Sequence, residues 1–106
     1  MKLQRIDHVS VNVRDLAAAR AFFVDLGLEV VREGDVAGAW ADRVTGLDGV
    51  KAEWVMLRTP GGETNIEFIS FSSPADDGTL PQPSFNAPGI RHIAFAVEDI
   101  DAVVAK

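Results

Sequence analysis

The chain has 106 residues, of which 47% are hydrophobic, and it contains no cysteine and carries a net charge of −6 at pH 7. This length suits one domain and not two, and the absence of cysteine excludes disulfide bonds and thiolate chemistry. No basic stripe is present to neutralise phosphates, and no apolar run approaches the roughly 20 residues of a membrane helix or forms the core of an N-terminal signal peptide, so we expect a cytoplasmic protein without a nucleic-acid or membrane partner.

Hydrophobic periodicity and turn residues predict eight elements. They are a strand over Leu3–Val13, a helix from Asp15 to Leu26 ended by Gly27, a strand over Leu28–Arg32, a short helix within residues 37–44, a strand over Lys51–Arg58, a strand over Thr64–Phe71 after the turn Pro60-Gly61-Gly62, a strand over Ile90–Val97, and a helix that begins at Asp99. Residues 72–88 hold four of the five prolines, which predicts an extended linker.

The first predicted strand has two unlike faces. Val9, Val11 and Val13 share one face, which we expect to pack on the helix. The other face is mixed, so its polar groups must point to water, a ligand or a metal. It holds Ile6, His8, Ser10 and Asn12.

Two later strands also carry polar side chains beside apolar ones. Glu67 shares a face with Ile69, and a carboxylate on such a face is costly unless it is paired or bound to a cation. The alternative is an edge strand on which Glu67 faces water. On the third strand, Trp54 and Met56 either line a ligand site or pack in the core. Arg58, on the same face, either clamps an anionic substrate or lies at a solvated hairpin end.

The strongest signal is an internal repeat. The segment Ile6–Leu16 resembles Ile90–Ile100, and each copy reads as a strand, a two-residue turn with an aspartate cap, and a helix. The chain has two histidines, His8 and His92, and they occupy equivalent positions in the two copies. The simplest physical cause is an object held between the copies. Imidazole and carboxylate groups together suit divalent transition metals.

These features resemble the vicinal-oxygen-chelate superfamily, which includes glyoxalase I, bleomycin-resistance proteins and extradiol dioxygenases. The resemblance is carried by Ile6-Asp7-His8-Val9, by the first helix followed by Gly27-Leu28-Glu29-Val30, by Asn65-Ile66-Glu67-Phe68, and by Gly89-Ile90-Arg91-His92-Ile93-Ala94-Phe95. It implies an α+β fold of paired βαβββ modules whose sheets form a cup. The first module would span residues 1–71 and the linker 72–88. The second module, over 89–106, would be truncated after its first strand and the start of its helix.

The resemblance also implies the residues of a site in that cup. By position, the metal ligands would be His8, Glu67 and His92, with Glu67 also catalytic, and the metal would be Zn, Ni, Co, Mn or Fe. A small-molecule substrate would contact Ser10, Asn12, Trp54, Met56, Arg58 and Asn65. The fourth ligand would lie past Lys106, so it is either truncated or supplied by another chain, and we expect a homodimer.

The resemblance is specific for the fold and much less specific for the reaction. It favours a metal-dependent lyase or isomerase that acts on a small oxygenated substrate. The alternatives are an Fe(II) extradiol-type dioxygenase, a metal-free drug-binding resistance protein, and a truncated form without activity. Retention of the three visible ligand positions argues against the metal-free protein.

Overall fold

A computed structural model describes residues 2–76, 78, 85–90 and 92–106 of the chain. These residues divide into two compact units, Met1–Asp76 and Asp77–Lys106. The elements are β1 (His8–Asn12), α1 (Leu16–Asp25), β2 (Glu29–Ala37), α2 (Ala39–Thr45), β3 (Lys51–Arg58), β4 (Asn65–Ser73) and α3 (Ile100–Val104). Among the described residues, no helix is both long and apolar enough to cross a membrane.

The first unit is built on one four-stranded sheet in the order β1-β4-β3-β2. β1 runs parallel to β4, and the long connection that a parallel pair requires is made by α1, β2, α2 and β3. The other neighbouring strands are antiparallel. β3 and β4 form a hairpin whose turn is closed by a hydrogen bond from the backbone N–H of Gly62 to the carbonyl of Thr59, 2.9 Å. This β1-α1-β2-β3-β4 order is the predicted βαβββ module.

Helix α1 covers one face of the sheet and forms the core with it. Asp15 caps the helix as predicted, because its side chain accepts from the backbone N–H of Ala18 at 3.0 Å. Phe23 of α1 stacks on Phe68 of β4 with ring centroids 4.7 Å apart. Leu57 of β3 is fully buried beneath them. Val11 and Val13 of the predicted valine face pack against this core, as the two-residue periodicity predicted.

Strand β2 is longer than the sequence predicted. It continues to Ala37, five residues past Arg32, because it pairs with β3 along that strand's whole length, up to Ala37 opposite Lys51. Gly34 lies within it, and a Cβ at that position would come 3.0 Å from the ring of Trp54. Gly34 therefore marks a close approach of backbone and ring, and it does not end the strand as a turn would.

The second unit contains α3, which Asp99 caps by accepting from the backbone N–H of Ala102 at 3.1 Å. The prediction of a strand over Ile90–Val97 differs from the structure, in which residues 92–97 form no strand pairing. A strand needs a hydrogen-bonded neighbour, and the described residues of this unit offer none. Much of the predicted linker, at positions 77, 79–84, lies outside the described residues.

Candidate functional site

The face of the sheet opposite α1 gathers most of the polar residues that the sequence singled out; we call it the site face. Residues that pair directly across neighbouring strands point to the same side of a sheet. The pairings of β1, β4 and β3 therefore set out three rows across the site face, which are His8, Asn65 and Arg58; Ser10, Glu67 and Met56; and Asn12, Ile69 and Trp54.

Glu67 lies in the middle row, half-buried between β1 and β3. The hydroxyl of Ser10, directly opposite on β1, donates to Oε1 of Glu67 at 2.9 Å. This bond fixes one carboxylate oxygen. Among the described residues nothing engages Oε2, so that oxygen is available to a ligand or a proton. Glu67 is therefore on the inner strand β4 and does not sit on an edge strand facing water.

His8 is held by a carboxylate from its own chain neighbour. Nδ1 of His8 lies 2.8 Å from Oδ2 of Asp7, and Arg5 pairs with the same carboxylate at 3.2 Å. The hydrogen bond with His8, aided by the positive charge of Arg5, lowers the pKa of Asp7 below its usual value. An ionised carboxylate can only accept, so Nδ1 must be the donor. Nε2 of the neutral ring then carries the free lone pair.

Asn65 and Arg58 occupy paired positions at one end of the site face. Asn65 is 9% exposed, and its Oδ1 is buried without a hydrogen-bond partner. Arg58 is half-buried, and among the described residues it makes no ion pair or hydrogen bond. Counting only partners in the described part of the chain, an unpaired acceptor and an unpaired cation thus lie side by side next to His8.

The other predicted substrate residues differ in their exposure. Asn12 is exposed at the end of β1, and Trp54 is half-buried with its ring over Gly34. Met56 is only 2% exposed, so its side chain packs among its neighbours. Of the two alternatives for Met56, a ligand-site lining or packing, its burial in this unit favours packing.

His92 belongs to the second unit. It is exposed, and its ring lies parallel to that of Phe85, with a centroid distance of 6.2 Å and an interplanar angle of 2°. Within the described part of the chain, no group of three or more histidine, cysteine, aspartate or glutamate side chains is close enough to hold a metal ion. The first unit by itself therefore brings together His8 and Glu67 on neighbouring strands.

Two residues at this site escaped the sequence reasoning, Asp7 and Arg5. Strand periodicity places Asp7 on the opposite face from His8. The structure begins β1 only at His8, so Asp7 precedes the strand and is free of that alternation. The sequence signal that could have identified Asp7 is an acidic residue directly beside a candidate metal ligand. Metal-binding histidines usually donate a hydrogen bond from their second ring N–H to a carboxylate or carbonyl.

This chain is similar to a known protein family and to solved structures. The model of the Glyoxalase/Bleomycin resistance protein/Dioxygenase superfamily matches residues 5–106. The crystal structure of the glyoxalase family protein APC24694 from Bacillus cereus matches 99% of this chain and 70% of its own, with 42% identity and a TM-score of 0.84. That match confirms the predicted α+β fold of glyoxalase type.

Two curated relatives are both uncharacterized proteins. YaeR of Escherichia coli (strain K12) is 32% identical over 97% of this chain and 68% of its own length. YwkD of Bacillus subtilis (strain 168) is 28% identical over 98% of this chain and 70% of its own length. Neither name assigns a substrate or a reaction.

Proposed function

Because this chain belongs to the glyoxalase/bleomycin resistance protein/dioxygenase superfamily, we propose that it is a metal-dependent enzyme of the lyase or isomerase type. His8 and Glu67 supply two ligands to a divalent metal, and His92 supplies a third. The substrate is a small molecule whose oxygens reach the metal over the site face. Substrate contacts come from Ser10, Asn12, Trp54, Arg58 and Asn65.

One observation carries the proposal: each ligand of the first unit is held by a second polar group. Asp7 accepts from Nδ1 of His8 at 2.8 Å, and Ser10 donates to Oε1 of Glu67 at 2.9 Å. With respect to the described residues, each arrangement leaves one atom free: Nε2 of the imidazole and Oε2 of the carboxylate. Partners of this kind orient metal ligands and fix the histidine tautomer. A purely solvated face would give no reason for both.

The donor set fits a divalent transition metal but is incomplete within the first unit. Imidazole and carboxylate suit Zn, Ni, Co, Mn and Fe, and a catalytic site commonly uses three protein ligands with one position open. His8 and Glu67 provide two. The third is His92, from the same chain or from a second copy in a homodimer. β1 lies at the edge of the sheet, where another chain could join it.

The chain's own residues would do the remaining chemistry. The metal, when bound, is a Lewis acid that polarises a substrate oxygen and favours a neighbouring negative charge. Glu67 would act as the ligand that holds the metal through Oε2, the oxygen that Ser10 does not engage, and Ser10 keeps the carboxylate in one orientation. Trp54 provides apolar cover at the far row of the site face and limits the access of water.

The experiment that tests the proposal is metal analysis of protein purified without a metal-affinity tag. After incubation with each candidate metal and desalting, plasma mass spectrometry should find one metal ion per chain in the natural protein. The His8→Ala variant should retain almost none. Chelation with EDTA should abolish turnover, and metal should restore it. Folded natural protein that retains no metal would overturn the proposal and favour a metal-free binding protein. Iron with oxygen uptake on a catechol would favour the dioxygenase.

Replacing Asp7 with alanine is expected to weaken metal binding by about 10–100-fold, the usual effect of removing a ligand's hydrogen-bond partner. Without its acceptor, Nδ1 of His8 no longer has to carry the proton. Nitrogen NMR of the metal-free protein should therefore show His8 leaving the Nδ1–H tautomer. Asp7→Asn is the matched control, because its amide oxygen can accept the same hydrogen bond. A natural protein in which His8 already favours Nε2–H would contradict this role for Asp7.

A further inference from the structure

The amide oxygen of Asn65 is the least explained polar atom on the site face. Asn65 is only 9% exposed, and its Oδ1 is buried without a hydrogen-bond partner among the described residues. Buried acceptors in folded proteins are nearly always paired, so an orphan of this kind calls for a reason. The backbone N–H of Asn65 is satisfied by the carbonyl of Asp7 at 3.0 Å, which leaves the side chain as the unexplained part. Among the described residues, no group donates a hydrogen bond to Oδ1.

Arg58 is the second polar side chain at this end of the site face. It is directly opposite Asn65 in the β3–β4 pairing, so the two side chains leave the sheet on the same face, about 5 Å apart at their Cβ atoms. Its guanidinium carries donors only and matches a carboxylate with two parallel hydrogen bonds. Glu29, opposite Arg58 on β2, is exposed and makes no ion pair with it among the described residues. The part of the chain that the structure describes therefore leaves this cation without an anionic partner.

We propose that Arg58 and Asn65 form a subsite for a small α-hydroxycarboxylate. Arg58 binds the carboxylate, and Oδ1 of Asn65 accepts from the hydroxyl on the neighbouring carbon. A hydroxyl fits better than an ammonium group, because an ammonium would lie beside the guanidinium and be repelled. The inference rests on the proposed function in one respect, since it makes this ligand class the substrate on the same face. The two binding groups are, however, distinct from the metal ligands.

The test is a set of NMR titrations of the metal-free protein in EDTA, with three probes of similar size. Lactate carries both groups, propionate lacks the hydroxyl, and lactamide lacks the charge. Lactate should bind about tenfold more tightly than either of the others, which corresponds to about 1.4 kcal/mol of binding free energy. The amide signals of Arg58 and Asn65 should shift. Equal binding of lactate and propionate, or shifts confined to other regions, would overturn the proposal.

Variants separate the two contacts. Asn65→Leu should bind lactate and propionate equally while still preferring both over lactamide. Arg58→Gln should lose the preference for lactate over lactamide. Arg43→Gln, which removes the same charge from α2, should bind all three probes as the natural protein does. An Asn65→Leu protein that kept its preference for lactate would overturn the role of Asn65.

The titration is independent of the metal. Lactate selectivity in EDTA together with a failed metal analysis would leave the subsite standing and remove the metal-dependent function. Metal binding at His8 without lactate selectivity would support the metal-dependent function and overturn the subsite. Neither experiment needs the identity of the natural substrate.

Discussion

Replacing Glu67 with glutamine is expected to weaken binding of a divalent metal by more than about 100-fold. Loss of a ligand should exceed the roughly 10–100-fold effect of losing a ligand's hydrogen-bond partner. Glutamine keeps the shape of the side chain, and its amide oxygen can still accept from Ser10, so the fold should be preserved. The neutral amide, however, no longer supplies an anionic oxygen to the cation. Competition between the protein and a chromophoric chelator measures the change.

The matched control is Glu53→Gln. Glu53 lies on the neighbouring strand β3, is exposed, and points to the face opposite Glu67, since it pairs with Ser70 and not with a site-face residue. The variant loses the same charge from the same sheet. If metal affinity fell equally in both variants, the loss would reflect net charge and the assignment of Glu67 as a ligand would be wrong.

Most elements of the first module could be predicted from the sequence, because they are marked by residues close together in the chain. The alternation over β3 predicted Lys51–Arg58 with the bounds that the structure has. Asp15 and Gly27 marked the two ends of the first helix, a cap that accepts from an N–H and a residue with φ of +109°. The family resemblance was read from short segments around these elements, and the family model over residues 5–106 confirms it.

The features that the sequence did not reveal depend on partners distant in the chain. The length of β2 follows from its pairing with β3, so the glycine at position 34 could not be placed inside a strand before that pairing was known. The unpaired Oδ1 of Asn65 is likewise a property of the folded environment. Asp7 was hidden because periodicity assigns faces only within a strand, and β1 starts one residue later.

The candidate site was also predicted only in part from the sequence. His8 was singled out by the repeat and Glu67 by its place on an apolar strand face, and the family resemblance implied both as ligands. The parallel β1–β4 register places them on neighbouring strands of one face. His92 was linked to His8 by the repeat and to Glu67 by the resemblance, and it lies in the second unit. Its role as a ligand therefore stays a prediction that metal analysis of a His92→Ala variant would address.

Asn65→Leu is expected to stabilise the fold, by about 1–3 kcal/mol, the usual cost of leaving a buried polar group without a hydrogen bond. Leucine has the same branched outline and removes the orphaned oxygen, and Ile69, on the same face of β4, shows that this face accommodates a buried apolar residue. Thermal unfolding should therefore move upward by several degrees, since each kcal/mol corresponds to roughly 4–8 °C in a domain of this size. Urea unfolding, analysed for an unchanged slope, gives the free energy directly.

Asn12→Leu is the matched control for this substitution. Asn12 lies on the same face at the end of β1 but is exposed, so the same change should alter stability by no more than about 0.5 kcal/mol. A residue whose only task is structural would behave in the opposite way, because removing its hydrogen bonds would destabilise the protein. A destabilised Asn65→Leu variant would thus contradict the orphaned acceptor and, with it, the reason to seek a ligand at this position. A stabilised variant that has also lost lactate selectivity would indicate that stability is given up at Asn65 for binding.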